Sequence, residues 1–118
     1  MNDPSTVLVI ATEEELCALV TRALRRAEKL ADARAPEATA AYGVVATYEE
    51  ALARAFPAES VRGAFARVGA VTAALRALDV PRAQALAGRF LSEPDLGAER
   101  RREIEHALAG HVAPAPAS

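Results

Sequence analysis

With 118 residues the chain has the length of one domain, enough for a single core. It has no tryptophan, three phenylalanines and two tyrosines, and about a quarter of it is alanine, so leucine, valine and alanine must fill the core, which predicts a mainly α chain of closely packed helices. A net charge of −2, with thirteen of the fourteen basic residues arginine, offers no lysine-rich surface to nucleic acid or membrane, and a single cysteine, Cys17, excludes an internal disulfide.

Thr6-Val7-Leu8-Val9-Ile10 is β-branched and apolar and reads as a short N-terminal strand. Its internal pairing candidate is Val44-Val45-Ala46; the alternative is a second copy, giving a homodimer with Val7, Leu8 and Val9 in the interface. Thr12 with Glu15 forms a capping box that opens a helix running to about Arg34. Leu16, Leu19, Val20, Ala23, Leu24, Ala27 and Ala31 form its apolar stripe, with Arg22, Arg25, Arg26 and Lys29 opposite. Ala31 to Ala41, around Pro36, reads as a hinge or a short helix beginning near Pro36, and as the boundary between an N-terminal unit, 1–34, and a helical-pair unit, 35–112. Thr47-Tyr48-Glu49-Glu50 offers a second capping box, for a helix of about nine residues that Pro57 stops. From Glu59 to Leu78 the stripe is Val61, Phe65, Val68, Thr72 and Leu75, widened by Ala64, Val71 and Leu78. Gly63 and Gly69 within it each cost about 1 kcal/mol of helix propensity, which a closely crossing neighbour would explain. Pro81 suits the first turn of a helix carrying Leu86, Phe90 and Leu91. After a loop at Ser92 to Gly97, a last helix is expected, capped by Asp95, carrying Ile104, Ala107 and Leu108, and ended by Gly110. Ala113 to Ser118 reads as a disordered tail. The expected architecture is a bundle of about five antiparallel helices with a short N-terminal strand.

One pattern crosses these elements. Glu50-Ala51-Leu52-Ala53-Arg54-Ala55-Phe56 returns 34 residues later as Gln84-Ala85-Leu86-Ala87-Gly88-Arg89-Phe90, and the same offset carries Gly63-Ala64 onto Gly97-Ala98 and Arg67 onto Arg101. That spacing is the period of a repeated helix pair. Tyr48 to Pro94, with Tyr48-Glu49-Glu50-Ala51-Leu52, Pro57, Gly69, Asp79 and Ala83, resembles a tetratricopeptide repeat. The usual tryptophan and the turn glycine are missing, Leu78 standing before Asp79. The resemblance implies helix pairs that present a groove to a peptide or partner helix. Val7 to Leu24 is similar to the first strand and helix of response-regulator receivers, but Ala11 and Thr12 replace the metal-binding acids. Thr47 to Gly69 resembles an excisionase-like helix-turn-helix, with Arg62 and Arg67 as the basic residues of its second helix.

No catalytic constellation stands out. Cys17 falls at the edge of an apolar stripe, His106 and His111 are not spaced to share a helix face, and Glu13 to Glu15 serve a helix start. Glu103 and Glu105 read as a charged outer face. Arg100-Arg101-Arg102 lies among Glu99, Glu103 and Glu105 and reads as a self-compensating face. No cofactor, metal or catalytic residue is expected, and no membrane partner. With no charged leader or long apolar run, a cytoplasmic location is expected. The sequence therefore points to a non-catalytic helical interaction or adaptor module for an unknown protein partner, with Tyr48, Phe56, Arg62, Phe65 and Arg67 as partner-binding candidates. The alternative is a DNA-binding transcription regulator using the divergent helix-turn-helix.

Overall fold

The structure, a computed structural model, describes residues 12–112. It is helical throughout those residues, with no strand: α1 spans Glu13–Asp32, α2 Ala38–Ala55, α3 Val61–Arg76, α4 Val80–Leu91 and α5 Ala98–Val112. The expected strand at Thr6 to Ile10, the interface residues Val7, Leu8 and Val9, and the tail from Ala113 lie outside the described residues.

Local chemistry sets several of the boundaries. At the start of α1 the Thr12 hydroxyl accepts from the Glu15 amide at 3.1 Å, and the Glu15 carboxylate accepts from the Thr12 amide at 2.8 Å, the reciprocal bonds of a capping box. Those bonds, the backbone one foremost, hold the Glu15 carboxyl below its ordinary range. Ser60 caps α3 through the Gly63 amide and Asp79 caps α4 through the Arg82 amide, with Pro81 in the first turn. At the other end of α2, Phe56 turns to an extended conformation ahead of Pro57.

Three expectations are corrected. Helix α2 begins at Ala38, not Thr47, and is 18 residues long. Thr47 is therefore interior, its hydroxyl donating to the Gly43 carbonyl at 3.2 Å instead of capping. Val44-Val45-Ala46 is helical and cannot pair with a strand, since Val45 and Ala46 are buried in the core and that burial outweighs the β preference of the two valines. At the C-terminal end, α5 starts at Ala98, so Asp95 is not its cap, and Gly110 lies inside the helix.

The described helices form a slab of 49 × 38 × 20 Å in which α1 packs on α2, α2 on α3, α3 on both α4 and α5, and α4 on α5. Helix α3 is the hub. Alanine supplies half of the buried apolar side chains, among them Ala46 and Ala53 of α2 and Ala66, Ala70, Ala73 and Ala74 of α3. Such small side chains let helix axes approach closely.

Both α1 and α3 end with a residue in the left-handed region, Arg34 at φ 56° and Leu78 at φ 60°. The Ala35 amide donates to Leu30 and the Asp79 amide to Ala74, so each turn is a Schellman motif with a non-glycine residue where glycine is favoured. Leu78 is also 71% exposed and has little packing to lose. Leu78→Gly should raise stability by up to about 1 kcal/mol in urea denaturation, because glycine relieves the left-handed strain. An unchanged or lowered midpoint would show that the turn carries no such strain.

Candidate functional site

Helix α3 has one face of small residues and one of large ones, and the small face goes in. Ala66, Ala70, Ala73 and Ala74 are buried with Val71 and Leu75, whereas Val61 is 75% and Phe65 53% exposed. This corrects the expected stripe: Leu75 and Val71 do join the core, Val68 and Thr72 are half-buried, and the first turns of the stripe face solvent. The reason is steric, since α3 is packed against three other helices and its contact face has to be thin.

The displaced large residues border a groove along α2 and α3. One concavity of ≈ 580 Å³ is lined by Leu52, Phe56, Ser60, Val61, Arg62 and Phe65, among others. A second, of ≈ 400 Å³, is lined by Leu24 and Glu28 of α1, Tyr42 and Val45 of α2, and Val68 and Arg76 of α3, among others. Both are also lined by Glu49 and Phe65, so the two share one junction.

Glu49 and Glu50 are neighbours in sequence with opposite environments. Glu50 accepts from Arg54 at 2.9 Å, Arg89 at 2.9 Å and Arg82 at 3.4 Å. Burial alone would raise its carboxyl, but the hydrogen bonds from Arg89 and Arg82 and the charge of Arg54 hold it below the ordinary range. Glu49 has no hydrogen-bond or ion-pair partner among the described residues, and burial pushes its carboxyl up to about 7. Gly69 makes room for it, because a Cβ at that position would overlap the Glu49 carboxylate and stand 2.7 Å from its Cδ. The close approach expected at Gly69 is thus made by a side chain of α2.

The arginines that border the groove are laid on aromatic faces. Arg62 stands 5.5 Å over Phe56, Arg76 5.5 Å over Tyr42 and Arg100 4.5 Å over Phe65. Arg76 also donates to the Tyr42 hydroxyl at 3.3 Å.

Of the residues picked out in the sequence, Phe56, Arg62 and Phe65 come together on this groove, while Tyr48 is half-buried on α2 and lines neither concavity. Arg67 departs from expectation. It is 5% exposed and its guanidinium is used up inside, donating to both carboxylate oxygens of Glu93, at 2.5 and 3.0 Å, and to the carbonyls of Phe56 and Gly63. Glu49, Val45, Val68 and Leu24 line the groove although the sequence assigns them elsewhere, Glu49 to a cap, Val45 to a strand, and Val68 and Leu24 to core stripes.

The basic triplet is likewise dispersed. Arg100 stacks on Phe65 and pairs with Glu99 and Glu103, Arg101 turns inward to the carbonyls of Leu91, Glu93 and Leu96, and Arg102 is exposed. Arg67 and Arg101, one 34-residue offset apart, do parallel work: Arg67 holds a carbonyl at the C-terminal end of α2, Arg101 one at that of α4. Cys17 is half-buried beside the core and His106 is exposed. Among the described residues no three His, Cys, Asp or Glu side chains gather as a metal site would require, and no helix is long and apolar enough to cross a membrane. Compared with protein-family models, curated proteins and solved structures, the chain matches none.

Proposed function

We propose that the protein is a non-catalytic helical binding module that docks a protein partner in the groove between α2 and α3. One observation carries the reading: Val61 and Phe65 project large apolar side chains into solvent beside an apolar concavity, on a helix whose opposite face is already filled. Leaving such side chains in water forgoes the burial free energy of each, about 1.5–3 kcal/mol, and contiguous apolar exposure of this kind marks interaction surfaces. The parallel roles of Arg67 and Arg101 support a repeated helix-pair plan, in keeping with the tetratricopeptide-like spacing.

The competing reading, a helix-turn-helix on DNA, loses support from the same geometry. Of the two arginines α3 would bring to a duplex, Arg67 is buried and Arg62 lies on Phe56, while Val61 and Phe65 occupy the exposed surface.

The test is affinity capture with the wild-type chain and with a Val61→Asp, Phe65→Asp variant. Both positions are exposed, so the variant should retain its circular dichroism and melting temperature within a few degrees. A partner retained by the wild type and lost by the variant is the expected result. An identical set of captured proteins would overturn the assignment of this face.

A further inference from the structure

The charged groups around the groove are unequally provided for. Glu50, Arg67 and Arg101 are each held by several partners, and the bordering arginines Arg62, Arg76 and Arg100 are each stacked on an aromatic ring. The two carboxylates that line the groove are not. Glu49 at the junction of the two concavities and Glu28 on the α1 wall have no ion-pair partner among the described residues. Around them the lining is apolar, with Leu24, Val45, Leu52, Val61, Phe65 and Val68. Glu49 is half-buried and Glu28 exposed, so the carboxylate at the junction is partly desolvated, and a counter-charge for it has to come from outside the described residues.

We propose that the groove takes an apolar segment of a partner protein carrying one lysine or arginine, whose cationic head pairs with Glu49 while its apolar neighbours cover Val61, Phe65 and Val68. This rests on the docking reading above and names the chemistry of the occupant. A long basic side chain suits the place, because its methylenes can lie along the apolar walls while the head reaches the carboxylate. Gly69 fits the same picture: any side chain there would displace the Glu49 carboxylate from the position it holds at the junction. A second copy of this chain is a poorer occupant, since two such faces meeting about a two-fold axis would bring like carboxylates into one interface.

The probe is a phage-displayed library of random dodecapeptides selected on the full chain at pH 8. Enriched peptides should carry a lysine or arginine among leucine, isoleucine or phenylalanine. A synthetic copy should bind wild type and lose about tenfold or more in affinity to Glu49→Gln, and similarly to Phe65→Asp. Its affinity for wild type should also fall as pH drops from 8 to 5.5, because a proton competes with the cation for Glu49, and this fall should vanish in Glu49→Gln. The other charged or titratable groups that line the groove or border it are Glu28 of α1, Tyr42 of α2, Arg62 and Arg76 of α3 and Arg100 of α5. Glu28→Gln should leave the pH effect in place. Peptides that need Phe65 but lack a basic residue, or ignore Glu49→Gln, would overturn the cationic anchor and leave the docking reading standing. Selection of no Phe65-dependent peptide would remove both. A wild-type chain that is dimeric by light scattering, and monomeric as Phe65→Asp, would give the groove to a second copy and overturn the proposal.

Discussion

Replacing Arg67 with methionine should cost about 3–5 kcal/mol of stability, enough to consume a large part of what a domain of this size possesses. The arginine is buried and its fork spans Glu93 and the carbonyls of Phe56 and Gly63, so it ties the end of α2, the start of α3 and the loop after α4 together. Methionine fills much of the volume. It leaves the Glu93 carboxylate and the Phe56 carbonyl without the guanidinium donor, and partly desolvated acceptors without that partner carry the larger share of the loss. Lysine keeps the charge but not the fork, so Arg67→Lys should recover only a part. The double change Arg67→Met, Glu93→Leu should be less damaging than Arg67→Met alone, because the stranded carboxylate is gone. Urea denaturation of the set measures each difference. A loss below about 1 kcal/mol for Arg67→Met would mean that the interior pairing contributes no more than a surface one.

The second large effect is a dependence of stability on pH. Unfolded, Glu49 titrates near 4.5; folded, burial moves it to about 7. Between those values the folded chain binds more protons than the unfolded one, so stability falls as pH rises and the whole penalty is in place above about 7. Its size is at most about 3 kcal/mol, reduced by whatever water reaches the half-buried carboxylate. Glu50 and Glu15 act in the opposite sense, since both are held below the ordinary range: their contribution is present above about 4.5 and is lost as pH falls through their folded values. Thermal melts should therefore show a maximum in the mildly acidic range. Glu49→Gln should flatten the decline toward pH 8 and melt higher there than wild type. A melting temperature that does not fall for wild type between pH 5 and 8 would contradict the burial of an ionised Glu49.

The features legible in the sequence are those set by neighbours along the chain. The capping box at Thr12 and Glu15, the stop before Pro57, and the start at Asp79 with Pro81 each depend on residues within three or four positions, where side chains and amides meet whatever the rest of the molecule does. Phe56, Arg62 and Phe65 are legible as candidates for the same reason, because large apolar and basic side chains cluster around one helix start. The start of α2 is different. Gly43, Val44, Val45 and Thr47 argue locally for a turn, a strand and a cap, and only the burial of Val45 and Ala46 against neighbouring helices holds them in a helix. The facing of α3 goes the same way. A hydrophobic pattern selects its largest side chains as the core, but a helix contacted by three others admits only small ones, so Ala66, Ala70 and Ala74 go in while Val61 and Phe65 stay out. Arg67 and Glu49 exchange their apparent roles on that basis, the arginine becoming an interior tie and the glutamate an unpaired anion at the groove's junction. Composition and local spacing determine that this chain is helical and where most of its helices stop; which face of each helix meets water depends on distances between residues far apart in the chain, which no local pattern encodes.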